Sequence, residues 1–256
     1  VLATAFFIEP ERVEVTFHDM RHRRNEPGVR IVQLSDLHLQ AFGKHEKSLV
    51  QRVKELHPDL VVLTGDMIDR ADARPLLKAF VEELGPVPLF AVPGNREHWS
   101  GVDFSGLRAA IEGRQGNRLL LNERASFSKG KRAIRLIGLD DFTAGNPDLG
   151  LLERNGYVHD QGATTVILQH SPGFFDLSEV RRLMGRGQFT LCLSGHTHGG
   201  QIAIAGWAPV LPEGNGRFVA GFYDISGCRL YVSRGVGMSV IPARLGSRPE
   251  IAVFDL

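Results

Sequence analysis

Between Val29 and Val92 apolar runs alternate with stretches of helical periodicity, and each apolar run closes on a short polar motif. Val29 to Ser35 reads as a buried strand delivering Asp36 and His38 at its carboxyl end. Leu60 to Thr64 is a second such strand, ending in Gly65-Asp66, and Pro88 to Val92 a third, ending in Pro93-Gly94-Asn95. Between them, Lys44 to Leu56 carries Leu49, Val50, Val53 and Leu56 at helical spacing and stops at His57-Pro58, and Pro75 to Leu84 is amphipathic. This order implies a parallel sheet with helices on its faces. Ligands of open α/β sheets gather at the carboxyl ends of the strands. Asp36, His38, Asp66 and Asn95 fall there together.

The rest of the chain is richer in strands. Val13 to Phe17 alternates apolar and polar residues. Arg118 to Leu121, Ala125 to Ser128, Ala133 to Leu139, Thr164 to Gln169, Phe189 to Leu193 and Ile251 to Phe254 are short strand candidates. Phe174 to Met184 is helix-like, and Arg217 to Tyr223 with Arg229 to Ser233 forms a hairpin around Ser226-Gly227. A second sheet packed on the first accounts for this shift. With no repeat or linker in view, residues 1–256 are expected to form a single domain.

Composition excludes some partners. The chain has 256 residues, 43% hydrophobic and 23% charged, with a net charge of +1, as in an ordinary globular protein. Such a balance gives no case for nucleic-acid binding. No stretch reaches the roughly 20 apolar residues that cross a bilayer. The first eight residues, VLATAFFI, read equally as the remnant of an N-terminal anchor or signal and as a packed first element. Cys192 and Cys228 lack metal-site or framework spacing and are expected to be thiols, Cys192 in the core.

The chemistry lies in five motifs: Asp36 and His38 in SDLH, Asp66 in GDMID, Asn95 in PGNREH, His170 in LQHSP, and His196 and His198 in SGHTHGGQ. In extended backbone, residues two apart point the same way, so Asp36 with His38, and His196 with His198, can each reach one cation. Glycines around GHTHGG permit tight turns. Asp66 can bridge two cations, and Asn95 offers a neutral oxygen. A lone DxH or Gly-Asp arises often by chance; all five motifs in this order do not. The mixed donors suit manganese first, then zinc or iron, rather than calcium. Two such cations activate water and stabilise both oxygens of a phosphoryl transfer.

The order DxH, GD, GN, H, GHxH resembles the signature of the calcineurin-like metallophosphoesterases, and the resemblance runs from Ile31 to the C-terminus. It implies a four-layer α/β/β/α sandwich of two mixed sheets flanked by helices. It implies that Asp36, His38 and His198 hold one metal and Asn95, His170 and His196 the other. Asp66 and a hydroxide would lie between them, the hydroxide attacking phosphorus in line. The segment YVSRGVGMSVIPARLGSRPEI resembles a membrane-associated bacterial branch that includes lipid-metabolising phosphodiesterases. The chain is thus expected to be bacterial, cytoplasmic or peripheral at the inner membrane.

One position departs from that signature. Arg96 stands where the family usually has histidine. Arginine does not give up its proton, but it clamps phosphate oxygens bidentately. A leaving group that needs little protonation follows, such as the phosphate expelled from a pyrophosphate. Enzymes that cleave UDP-2,3-diacylglucosamine carry a similar GNR motif. Alternatively, His98 supplies the acid. Glu97 is expected to orient Arg96, while Gln201, Arg244 and Arg248 are candidates for substrate or head-group contact. Phe6, Phe7, Phe42 and Trp207 are candidates for meeting an acyl chain or a membrane, and His18, His22, His45, His57 and His159 are read as surface residues. Rival readings are a general phosphodiesterase or phosphatase of small substrates and a non-catalytic metal-binding scaffold.

Overall fold

The computed structural model describes residues 2–21, 28–153, 164–186, 189–204 and 207–256. The first sheet contains β1 (Glu14–Asp19), β2 (Arg30–Leu34), β3 (Leu60–Thr64), β4 (Leu89–Val92), β5 (Arg118–Leu119) and, returning from the C-terminus, β12 (Glu250–Asp255). Its order is β1-β12-β2-β3-β4-β5. β2 through β5 run parallel, and β12 inserts antiparallel to β2 and parallel to β1. The second sheet is β10 (Gly221–Ile225), β11 (Cys228–Val232), β9 (Leu191–Ser194), β8 (Thr164–Leu168), β7 (Arg132–Gly138) and β6 (Glu123–Lys129), in that order.

The apolar runs are continuous because both faces of each central strand are covered. Within β3, Val61 and Leu63 face the outer helices while Leu60 and Val62 face the second sheet. β2, β4 and β12 alternate in the same way. α1 (Lys44–Glu55), α2 (Arg74–Leu84) and α4 (Phe104–Glu112) close the outer face of the first sheet with Leu49, Val53, Leu77, Phe80 and Leu107. On the far side, α5 (Ser178–Met184) and a 3-10 turn at Pro172–Asp176 cover the second sheet through Phe174, Phe175 and Val180. Two mixed sheets flanked by helices therefore make a four-layer α/β fold.

Several expectations are corrected by the structure. Phe174 to Met184 is not one helix: Leu177 is extended (φ −61°, ψ 131°), so a 3-10 turn precedes α5. Residues Arg217 to Ala220 lie outside the hairpin, whose first strand begins at Gly221. The sequence reading missed α4, although Asp103 caps it, accepting from the N–H groups of Ser105 and Gly106. His22 and His159 lie outside the described residues. His18 is no surface residue; its ring packs among Phe222, Tyr231 and Phe254 at 4.8–5.1 Å.

The cysteines are also corrected. Cys192 and Cys228 form a disulfide, with Cα atoms 6.2 Å apart. They are 36 residues apart in sequence, but β9 and β11 are parallel neighbours in which Cys192 opposes Leu230. Strand periodicity puts residue 228 on the same face as residue 230. Both sulfurs thus meet on the face that α5 covers. A cross-link of this kind stabilises by about 2–4 kcal/mol. A Cys192→Ala/Cys228→Ala protein is expected to unfold at lower denaturant concentration than the oxidised wild type, by that amount. Denaturation with and without reductant measures it, and reductant should leave the double variant unmoved.

Candidate dinuclear metal centre

The seven sequence-derived candidate ligands all lie just beyond the carboxyl ends of strands, and the fold brings them into one buried cluster. Asp36 and His38 follow β2, Asp66 follows β3, and Asn95 opens α3 (Asn95–Trp99) just after β4. His170 follows β8, while His196 and His198 follow β9. The first sheet thus contributes four residues and the second three.

Two groups are resolved. Asp36, His38 and His198 offer ligand atoms within 4.8 Å of one another, and so do Asp66, His170 and His196. In the first, His38 Nε2 lies 3.1 Å from His198 Nε2, which is 3.4 Å from Asp36 Oδ1. In the second, His170 Nε2 lies 3.2 Å from both His196 Nδ1 and Asn95 Oδ1. Asp66 faces both: Oδ2 is 3.7 Å from His38 Nε2 and Oδ1 is 3.3 Å from His170 Nε2.

The backbone achieves this by a route the sequence reading did not foresee. Extended geometry at DLH and HTH is replaced by left-handed residues. Asp36, His38, Asp66, His196 and His198 have φ of 54°, 44°, 50°, 73° and 51°. Non-glycine residues seldom adopt this region, and such strain concentrates at functional sites. Neighbouring loops hold it in place: Asp36 N–H donates to the Gly65 carbonyl, His38 N–H to the Asp66 carbonyl, and His196 N–H to the Asp36 carboxylate. Gly65, at φ +88°, is required twice over, because a Cβ there would run into the His170 ring.

Hydrogen bonds behind the rings aim their lone pairs inward. His38 Nδ1 binds Asp69 Oδ1 at 2.7 Å, His170 Nδ1 donates to the Thr64 carbonyl at 2.7 Å, and His196 Nε2 donates to the Glu213 carbonyl at 2.7 Å. Each bond puts a proton on the outer nitrogen and leaves the inner one free, the arrangement that orients metal-ligating histidine. The sequence reading missed Asp69, whose signal was its place three residues after Asp66. Burial opposes charge on His170, but the adjacent Asp66 carboxylate outweighs it and raises the ring well above its ordinary value. For His38 the same balance, through Asp69 and Asp66, also ends upward. Burial, then His38 and Arg244, drives His198 well down, and burial with His170 lowers His196. Burial resists ionisation of Asp66, yet His170 and His38 hold it below the usual carboxylate range. Four imidazoles, two carboxylates and one amide oxygen converge here as donors for divalent cations, so the donor set fits two metals.

Glu97 was expected to pair with Arg96. Instead it is fully buried, and its carboxylate accepts from the backbone N–H of Asp66 (3.0 Å), Met67 (2.7 Å), Ile68 (3.0 Å) and Gly94 (2.7 Å). Burial, then the Asp66 charge, pushes it up to about 7, against the pull of those donors. Glu97 therefore fixes the loops that carry Asp66 and Asn95.

The remaining candidates are placed as follows. Arg96 lines the cavity over the centre; its Nη2 donates to Ser239 Oγ at 2.6 Å, and its guanidinium lies 5.6 Å from the Trp99 ring. Gln201 also lines the cavity, with its amide bound to the Ser239 N–H and to the Ser239 and Ile241 carbonyls. His98 lies in α3 and does not line the cavity; its Nε2 meets Asp140 Oδ1 at 2.7 Å. Arg244 was expected at the surface or against substrate. It is fully buried behind His198, donating to the carbonyls of Arg234, Gly235, Gly237 and Ser247. Burial lowers it to about 10. Arg248 is exposed. Phe42 is half-buried against Phe80 rather than presented outward, and His45 meets Glu11.

Comparison with known proteins identifies the family. Residues 29–200 match the family model for calcineurin-like phosphoesterases. The metallophosphoesterase YkuE of Bacillus subtilis is 31% identical over 98% of this chain and 88% of its own. The phosphodiesterase YaeI of Escherichia coli is 28% identical over 98% of this chain and 90% of its own. A dimetal phosphatase from Danio rerio shares the fold at a TM-score of 0.53 and 14% identity, covering 89% of this chain and 92% of that one. The chain belongs to the calcineurin-like phosphoesterase family, whose members depend on two metals. It is a phosphoesterase with two candidate metal-binding triads.

Two outcomes test the surrounding scaffold. Glu97→Gln replaces an acceptor facing four N–H groups with an amide that cannot satisfy them all. It should cost at least about 1–3 kcal/mol, read by denaturation, and lower bound metal, read by elemental analysis. The Asp140 hydrogen bond raises the pKa of His98 above its ordinary 6.5. A raised pKa stabilises fully below the unfolded value and fades as pH rises through the folded one. His98→Ala should therefore cost about 1.5–3 kcal/mol near pH 5.5 and clearly less near pH 9.

Proposed function

We propose that the chain hydrolyses a lipid-linked phosphodiester or pyrophosphate at this centre. The observation that carries the reading is the shape of the site. Four of the seven candidate ligands line a cavity of about 710 Å³. Asp66, Asn95, Arg96, His196 and His198 are at its base, and Trp99, Phe142, Val210, Leu211 and Ile241 stand along its walls. A polar floor beneath an apolar wall suits a substrate with a phosphoester at one end and hydrocarbon beyond.

Asp36, His38 and His198 would hold one cation, and Asn95, His170 and His196 the other, with Asp66 shared. Manganese leads on donor type, with zinc or iron next. Cations so held would supply an activated water and offset the charge gathering on the phosphoryl oxygens. The chain's own residues do the rest. Arg96, held towards the cavity by Ser239 and Trp99, binds phosphate oxygens and orients the ester. Arginine side chains do not serve as proton donors, so a leaving group that departs as phosphate is favoured over an alkoxide. UDP-2,3-diacylglucosamine has that linkage and is the first specific substrate proposed. The disulfide supports a second: a phosphoester of a membrane lipid met on an oxidising side of the bilayer, where such bonds persist.

The test is metal stripping and add-back with manganese, zinc or magnesium. The substrates are bis(p-nitrophenyl) phosphate, p-nitrophenyl phosphate, UDP-2,3-diacylglucosamine and a phospholipid. Manganese-dependent turnover should be highest on a lipid substrate and fall by two to three orders of magnitude or more in Asp66→Ala. Turnover of the small diester alone would keep the phosphoesterase and remove the lipid. Two bound metals with no turnover of any ester would favour the scaffold reading.

A further inference from the structure

Among the described residues, large apolar side chains left in solvent gather around the cavity mouth and beside it. Phe7 is 77% exposed, Trp207 68% and Val240 92%, and Leu2, Val210 and Ile241 are also exposed. These residues come from three stretches far apart in sequence, yet backbone bonds make them one surface. The Arg244 N–H donates to the Ala5 carbonyl at 2.9 Å, tying the helical turn Thr4–Ile8 to the 238–245 segment. The Ala203 N–H donates to the Leu245 carbonyl at 2.6 Å, and the Leu245 N–H to the Gln201 carbonyl at 3.0 Å. Ile204 and Trp207 then exchange backbone bonds at 2.9 and 3.0 Å.

Two properties of this surface point to its occupant. The stretches Leu2 to Ile8, Trp207 to Pro212 and Met238 to Ala243 contain no charged residue. Exposed charges follow in sequence, Arg12 four residues beyond the N-terminal turn and Arg248 five beyond Ala243. Second, Val240 is left-handed, at φ +64°. A β-branched residue is disfavoured there, and the fold does not hold it so to bury it. The loop is fixed by Gln201, through the Ser239 N–H and the Ser239 and Ile241 carbonyls, and by Arg96 through Ser239 Oγ. A rigid loop thus points an aliphatic side chain outward at the cavity mouth.

We propose that this face seats on a lipid bilayer. The N-terminal turn, Ile204, Trp207, Val210 and the Val240 loop would enter the boundary between head groups and acyl chains, where tryptophan and phenylalanine settle. The cavity mouth then opens at the membrane surface, and an acyl chain need not leave the bilayer for its phosphoester to reach the floor. The inference rests on the lipid-linked reading above and identifies the surface that would deliver such a substrate.

Vesicle flotation of the full chain tests it, with phosphatidylcholine alone and with phosphatidylethanolamine mixed with phosphatidylglycerol. Wild type is compared with Phe7→Glu/Trp207→Glu, since neither residue lines the cavity. Wild type should float with both vesicle types and lose little binding in high salt, because the face is uncharged. The double variant should bind at least tenfold less, melt within a degree or two of wild type and hydrolyse bis(p-nitrophenyl) phosphate at an unchanged rate. On vesicle-embedded substrate its rate should fall with its binding, and detergent micelles should restore it. Equal flotation of both proteins, or no flotation of wild type, overturns the proposal. So does binding that requires anionic lipid and disappears in salt, or a dimer dissolved by the glutamates, which would assign the face to a second copy. Flotation as expected with no lipid ester hydrolysed in any form would leave the docking face standing and remove the substrate reading.

Discussion

The two-faced position of the Asp66 carboxylate is the constraint around which the site is built. One oxygen faces the His38 group and the other the His170 group. A carboxylate can be shared in this way only if its backbone is held against rotation. Glu97 supplies that hold by gathering the N–H groups of Asp66, Met67, Ile68 and Gly94. A buried acid held by four backbone donors is thus the anchor of a centre to which it contributes no candidate ligand. The left-handed residues at five candidate-ligand positions follow from the same demand. Loops leaving parallel strands must turn back sharply to converge on one point, and crossed backbone bonds between them keep the strain in place.

The central sheet and the candidate ligands were legible in the sequence because strand, helix and motif coincide there. Apolar runs of strand length, closed by Asp, His or Asn, could be placed without knowing what packed on them. The parts that were not legible depend on partners distant in the chain. Glu97 looks like a surface neighbour of Arg96 until the Gly65-Asp66 loop arrives above it. Arg244 looks like one more arginine until four carbonyls from the 234–247 region surround it. The cysteines gave no sign of pairing, since their meeting depends on β11 entering beside β9. His98 stood as an alternative acid, and Asp140 was needed to show where its ring turns. In each case the chemistry of one side chain is decided by backbone from another element.

Arg96 and Gln201 link the floor of the cavity to its rim. Both hold the loop bearing Val240, one through the Ser239 hydroxyl and the other through main-chain atoms. The group proposed to bind phosphate and the surface proposed to meet lipid are therefore mechanically continuous. Placement of the ester and placement of the hydrocarbon are set by the same few hydrogen bonds.

Four of the candidate ligands belong to one sheet and three to the other. Cations held among them would act as rivets across the seam where the two sheets meet. Between the sheets the contact is otherwise mostly hydrocarbon, with Leu60, Val62 and Phe90 facing Val166, Leu168 and Leu193. Binding energy spent at the rivets is then also cohesion of the sandwich. The firmness of this protein would track the metal supply of its surroundings, and starvation for metal would loosen the body as well as silence the centre.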